Sequence, residues 1–488
     1  MKQVLLFYTP IIEEIDQYSR IFHSLLERNR SNKIFIAECK KEYHLNNCIS
    51  NYKGDLYKCN LCQLKRQKIF EDFKNISFLN YPNTVYEKEE IRSFEELKGL
   101  AYKGINIGIG VNSAAITILK NHKYDIRKNK QLLNNILSTS KKTIDLLEEN
   151  SHLNFDEIYV FNGRVSHFNS VVEYSKSKNI NYYTFEIVAD RQKYLIVRNS
   201  IPHNIEVFHN ELIKNWEESQ QPNKKEIGEL FFGEKKNLEK LKNIRQVDYT
   251  SYQKKNDLPK EIISNNNITI FGSSRNEYES IEGWNNNFLS GDDEQIIMEI
   301  CNYFPDLNFI YRAHPNLKLL DNEQTRNIEK LKDIVNLKVF DSFSKISTYD
   351  LIEASEKIIV FGSTIGVEAN YRGKPVICIG PSLYEKLDVA YNPKNLIELK
   401  KLLYDSFLKS RSKDDSIKYG YFELTRGVKL KKNSKNLNLQ ISNKSALKIF
   451  ILKIYKLIKE LSFQKTIIYI RSMNDERIRK KILDFLKY

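Results

Sequence analysis

The chain has 488 residues, 41% hydrophobic and 12% aromatic, enough apolar material for two domains of ordinary size and too much for a disordered protein. Its formal charge of +15 favours anionic partners, such as nucleotide sugars, acidic glycans or an anionic membrane surface, although part of it is a Lys- and Asn-rich composition. No nucleic-acid-binding motif accompanies the charge, which argues against that class of partner, and no run of about 18 apolar residues is present to span a membrane.

Residues 4–8 read as a buried strand, 11–28 as an amphipathic helix and 33–37 as a second strand. This βαβ opening predicts a parallel sheet. The N-terminal apolar run is too short for a signal peptide, and the use of six cysteines fits a reducing cytoplasm. Cys39, Cys48, Cys59 and Cys62 follow at spacings of eight, ten and two residues. Four soft ligands so close together suit a tetrahedral structural zinc site, but the spacing matches no standard zinc module, so free thiols remain the alternative.

Residues 63–150 read as mostly helical. Within them Gly108, Gly110 and Ser113 imitate a dinucleotide turn without its third glycine, and read as a turn at the sheet's ligand edge. Residues 156–161 form a strand ending in Asn162, Gly163 and Arg164, and 181–187 form another, with Glu186 near its end and Asp190 beyond it. His203 then opens a helix. Asn162, Arg164 and His203 are expected on the acceptor side of a cleft, with Glu186 or Asp190 as the base. Residues 223–260 are charged, with a polar linker over 246–259 that divides the chain into domains at 1–245 and 260–425.

The second domain opens with a strand over 268–271, followed by Gly272, Ser273 and Ser274. Residues 309–311 form a strand with Arg312 and His314 at its end, and Ser347 precedes a helix. The stretch 357–380 reads strand, turn, helix, strand. Gly362, Ser363, Thr364 and Gly366 lie in its turn and Glu368 in the first turn of the helix. Free N–H groups at such a helix start suit a phosphate, and in open parallel sheets ligands lie beyond the carboxyl ends of the strands. Past about residue 392 the chain is polar and helical. Residues 446–488 carry 11 Lys and Arg against 4 Asp and Glu, a basic tail whose first helix has an apolar stripe. Such a helix either lies on an anionic membrane or packs back across the domains.

The runs FGSSRNEYES (271–280), RAHPN (312–316), STYDLIEAS (347–355) and FGSTIGVEANYRGKPV (361–376), with a weaker VFNGRVSHFNS (160–170), resemble capsule and surface polysaccharide glycosyltransferases of GT-B architecture. The resemblance implies two Rossmann-like α/β domains facing a cleft, and transfer of a sugar from a nucleotide donor to a capsular or lipid-linked glycan acceptor. An HP element also occurs in enzymes that use cytidine nucleotides, which slightly favours a cytidine donor. It implies donor contacts from Ser273, Ser274, Arg312, His314, Ser347, Ser363, Thr364, Gly366 and Glu368. His314 joins Glu186 and Asp190 as a catalytic candidate. No Asp-x-Asp is present, so leaving-group charge is expected to be met by Arg312, His314 and backbone N–H groups without a cofactor. A peripheral site on the inner face of the cytoplasmic membrane follows if the acceptor is lipid-linked. A CDP-polyol phosphotransferase and a non-catalytic glycan-binding or assembly subunit are the alternatives.

Overall fold

A computed structural model describes residues 1–10, 14–39, 48, 51–52, 56–233, 252–263, 267–284 and 287–435. The predicted tail over 446–488 and residues 246–251 of the predicted domain linker lie outside the described residues.

The first half is built on β1 (Gln3–Tyr8), β2 (Lys33–Glu38) and β3 (Ile76–Leu79), a small hairpin of β4 (Ala101–Tyr102) and β5 (Ile105–Asn106), then β6 (Glu157–Phe161), β7 (Asn181–Ile187) and β8 (Lys193–Arg198). The second contains β9 (Asn267–Phe271), β10 (Asn308–Arg312), β11 (Leu337–Phe340), β12 (Ser355–Val360) and β13 (Val376–Cys378). Last comes β14 (Val428–Lys429), which crosses back to pair with β8. The two main sheets run β14-β8-β7-β6-β1-β2-β3 and β11-β10-β9-β12-β13.

Both sheets share one plan. From β1 the chain steps outward to β2 and β3, then returns to the other side of β1 for β6 and β7, all five strands parallel. From β9 it steps to β10 and β11, then returns for β12 and β13, again all parallel. Each sheet therefore has a topological switch point, between β1 and β6 and between β9 and β12, where doubly wound folds bind ligands. The architecture is two Rossmann-like halves, as expected.

Strand chemistry explains the layers. Val4 through Tyr8 are at most 1% exposed, as a central strand covered on both faces requires. In β12 the side chains alternate: Ile359 and its successor Phe361 join one core, while Ile358 and Val360 join the core on the opposite face. Helices such as Asp293–Tyr303 and Ile365–Tyr371 cover these faces. The first core is rich in aromatic edge contacts, among them Tyr8 with Phe22 at 5.0 Å between ring centres.

Three elements differ from expectation. The glycine-rich run near Gly108 is not a sheet-edge turn, because β5 pairs only with β4 and Gly108 already begins the helix Gly108–Leu119. Its glycines serve packing: a Cβ on Gly108 would lie 1.8 Å from the Leu97 carbonyl oxygen, and one on Gly110 would lie 2.6 Å from Asn169. The second difference is β8, an antiparallel return of β7. Third, Gly366 belongs not to the turn but to the helix Ile365–Tyr371, which has only seven residues, so the summed peptide dipole available there is small.

Gly362 has a φ of +84°, and a Cβ there would meet the Pro381 carbonyl oxygen at 2.2 Å. Gly362→Ala combines left-handed strain with a backbone clash and is expected to cost about 1–3 kcal/mol of stability. A urea-melt midpoint equal to wild type would show that the turn relaxes.

Candidate functional site

Segments beyond the carboxyl ends of the strands bring the two halves into contact. Across the gap Arg164, at the end of β6, donates from Nη1 to the Glu277 carbonyl at 2.5 Å. Trp284 Nε1 donates to the His203 carbonyl at 2.9 Å, Asn322 Nδ2 to the Lys120 carbonyl at 2.7 Å, and Lys386 pairs with Glu206. Lys123 and His122 of the first half both face Asp292 of the second, His122 Nε2 at 3.5 Å. These contacts join the two halves beyond the strand ends.

On the second-half wall, the Phe-Gly-Ser turns after β9 and β12 flank the switch point, with Phe271 registered against Val360. They do different things. Ser273 and Ser274 are buried, 6% and 4% exposed, and both hydroxyls turn inward. Ser273 Oγ donates to Asp293, and Ser274 Oγ to Asn276 Oδ1 at 3.0 Å. Behind them Asp293 also accepts from Tyr278 OH at 2.9 Å and Arg275 Nη1 at 3.2 Å, and Glu294 from Gln324 Nε2 at 2.9 Å. Burial pushes both carboxyls up, Glu294 to about 8. The two serine hydroxyls thus belong to a buried network and not to a phosphate surface. After β12 the reverse holds: Ser363 is half-buried and Thr364 exposed. Tyr384 OH donates to the Ser363 carbonyl at 2.7 Å and lies against Gly366, which holds this turn in place.

Arg312 also departs from expectation. It is 2% exposed and its guanidinium donates to the carbonyls of Asp341 and, at 3.0 Å, Ser344. It braces the segment after β11 and does not face the cleft as a phosphate ligand would. Ser347, 4% exposed, caps the helix Thr348–Ala354 by accepting from Asp350 N at 3.2 Å. Glu368 accepts from Tyr349 OH at 2.7 Å, and burial raises its pKa, so one of its oxygens is already engaged.

His314 is placed as expected, half-buried beyond the end of β10. Its Nδ1 accepts from Asn316 N at 3.1 Å, which puts the proton of the neutral ring on Nε2. Burial, with the adjacent Arg312 charge, lowers its pKa against the opposing pull of Glu277. Asn316 Nδ2 donates to Glu277 Oε1 at 2.6 Å, tying this strand end to the residue that Arg164 grips.

On the first-half wall, Asn162 has a positive φ of 57° and donates from Nδ2 to Glu186 Oε2 at 2.6 Å. Burial raises the Glu186 pKa, partly offset by that hydrogen bond and by Arg164 and Arg426. Asp190 instead shapes the β7–β8 turn: Oδ1 accepts from Gln192 N at 2.9 Å and Oδ2 lies 3.8 Å from Lys193 Nζ. Of the two proposed bases, only Glu186 lies among the other candidates. Sequence reading missed Arg426, whose only signal is an arginine closing a helix before Gly427, and Trp284.

A cleft of about 780 Å³ opens beside the switch point, lined by Ile205 from the first half and by Asn287, Cys378, Gly380, Lys386 and Lys394 from the second.

The four N-terminal cysteines are drawn into one neighbourhood. Cys59 and Cys62 lie one turn apart on the helix Leu56–Phe70. Gln63 Nε2 donates to the Cys39 carbonyl at 3.1 Å. Asn51 donates twice, from N to the Cys48 carbonyl at 2.9 Å and from Nδ2 to Cys59 Sγ at 3.0 Å. Burial, then the neighbouring thiols, pushes the Cys39 thiol well up. Among the described residues no group of three or more Cys, His, Asp or Glu is arranged to hold a metal ion. Among them also, no helix is long and apolar enough to cross a membrane.

No family model matches the chain, and no curated protein matches it. Among solved structures it is similar to the beta Kdo 2,7 transferase of Thermosulfurimonas dismutans KpsC, at 17% identity over 62% of this chain and 96% of that one, with a TM-score of 0.33. The beta Kdo 2,4 transferase of the same KpsC matches at 12% identity over 55% of this chain and 87% of that one, with a TM-score of 0.33. An S. aureus MnaA–UDP co-structure matches at 10% identity over 93% and 97% of the two chains, with a TM-score of 0.27. Likeness this weak adds nothing to what the two sheets themselves display.

Proposed function

We propose that the protein is a glycosyltransferase that moves a sugar from a nucleotide donor to a capsular or surface glycan acceptor. One observation carries this reading: two doubly wound sheets, each with a switch point, are joined beyond their strand ends by Arg164 and Trp284. A cleft between such halves can hold a nucleotide on one wall and an acceptor on the other.

The donor's phosphates would lie against the Ser363–Thr364 turn, with His314 Nε2–H as the hydrogen-bond donor to the departing phosphate oxygen. A cytidine nucleotide is the favoured donor. The 780 Å³ cleft beside Gly380 would take the rest of the donor, with Lys386 and Lys394 at its wall. Glu186, its pKa raised by burial, would accept the acceptor hydroxyl's proton. This division asks nothing of a metal.

A thermal-shift screen with CMP, CDP, UDP and GDP tests the reading. A cognate nucleotide at a hundredfold excess over its Kd should add about 2.7 kcal/mol of stability. No response to any of them would reject a nucleotide site. Binding without release of nucleotide when sugar donor and glycan are both supplied would favour a non-catalytic assembly subunit.

A further inference from the structure

We propose that Arg164, Arg426 and His203 form a subsite for an anionic group of the acceptor, a sugar carboxylate or a phosphate, at the ends of β6 and β7. This rests on the reading of the first half as the acceptor side.

The three side chains come from separate segments. Arg164 follows the β6 turn, His203 precedes the helix Ile205–Glu218, and Arg426 ends the helix Lys413–Thr425, which brings the chain back from the second half. They converge. Both guanidinium groups act on His203, and both act on Glu186.

Each of the three has a buried polar nitrogen without a hydrogen-bond partner: Nε of Arg164, Nε of Arg426 and Nδ1 of His203. Their other contacts are accounted for. Arg164 Nη1 is spent on the Glu277 carbonyl. Arg426 Nη2 pairs with Glu423 at 3.0 Å, and its guanidinium lies over the rings of Phe208 and Phe422 at 5.4 and 5.6 Å. Buried polar groups are nearly always satisfied in folded proteins, so three unsatisfied nitrogens around one place, two of them certain donors, call for a ligand.

The acid that both arginines influence does not answer their Nε–H groups. Glu186 spends its oxygens on Asn162 Nδ2 and on Ile187 N, and it forms no ion pair with either arginine. Burial raises the pKa of Glu186 and of Glu211, another acid near Arg426, which weakens their hold on the guanidinium groups. Burial and the two guanidinium groups hold His203 neutral, with a pKa lowered to about 3, so its ring serves as a hydrogen-bonding group and not as a third cation. An oxyanion with several lone pairs satisfies both Nε–H groups and the ring together. It would then lie beside Glu186, so the charged group of the acceptor would orient the hydroxyl that Glu186 deprotonates.

The test is thermal stability of the full-length protein titrated with sodium phosphate, and separately with sodium glucuronate, against sodium chloride at equal ionic strength. Each titration is run with and without saturating nucleotide. A saturable rise in Tm is expected, unchanged by nucleotide. Its midpoint concentration should be at least tenfold higher in Arg164→Gln and in Arg426→Gln, and unchanged in Arg326→Gln, a surface control. If Arg426→Gln fails to fold, Arg426→Lys keeps charge and ring packing but removes the Nε–H, and should show the same tenfold loss. The tighter of the two probes identifies a sugar carboxylate or a phosphoryl group. No saturable effect beyond chloride overturns the proposal, as do equal midpoints in wild type and the arginine variants. Loss of the phosphate effect in the presence of nucleotide also overturns it, by assigning the anion to the donor site. Absence of any nucleotide response, with the anion effect intact, overturns the donor reading alone.

Discussion

Arg312→Ala is expected to lose about 3–5 kcal/mol of folding stability, because two hydrogen bonds from a charged donor disappear and the carbonyls of Asp341 and Ser344 lose their partner. Placement at a strand end marks a residue as a ligand contact only when its side chain points outward. Here the guanidinium is 2% exposed and turned under the segment after β11. Nucleotide affinity should weaken only as far as the fold does. The check is a urea melt together with a nucleotide titration at low temperature, where the variant remains folded. A stable variant that had lost nucleotide binding would restore the phosphate role and overturn this assignment.

His314→Ala should do the opposite. The ring accepts from Asn316 N at Nδ1, a neutral hydrogen bond at a half-buried position, so stability should change by about 1 kcal/mol. Transfer, read as nucleotide released from the sugar donor, should fall about 10²–10³-fold, the usual cost of removing one donor to a developing oxyanion. His314→Gln, which can offer an N–H near the Nε2 position, should recover part of the rate. An unchanged rate in the alanine variant would remove His314 from the mechanism.

The pH dependence has a definite sign. Burial lowers the His314 pKa below the ordinary imidazole value near 6.5, so the ring is neutral at pH 7. Its contribution to the rate should be flat from pH 8 down to about 6.5; at lower pH a proton on Nδ1 sets that nitrogen against the Asn316 N–H, the ring loses its positioning bond, and the contribution falls. Stability follows the same direction. His203, His209 and His23 are depressed too, chiefly by burial. Each protonates more readily in the unfolded chain, so their stabilising contribution is complete above about pH 6.5 and is lost as pH falls toward the folded values.

The amino-acid sequence by itself determined the two α/β halves. Strands such as 4–8 and 357–361 are unbroken apolar runs, and these mark strands buried on both faces whatever surrounds them. It also determined which residues sit at strand ends, because the turn chemistry of Gly362-Ser363 or Asn162-Gly163 stops a strand locally. It could not determine where those residues point. Ser273 and Ser363 occupy equivalent turns, yet one is buried on a carboxylate and the other half-buried, and the choice was made by Asp293, contributed from a helix 20 residues away. Asp190 and Glu186 look alike in the sequence, and only the antiparallel return of β8, with Lys193 at its start, turned Asp190 into a hairpin residue. Arg426 was invisible for the same reason. Its place beside Glu186 exists only because the chain crosses from the second half to add β14 to the first sheet. Local sequence sets backbone preference within a few residues, whereas side-chain direction and partnership depend on groups that only long-range packing brings within hydrogen-bonding distance.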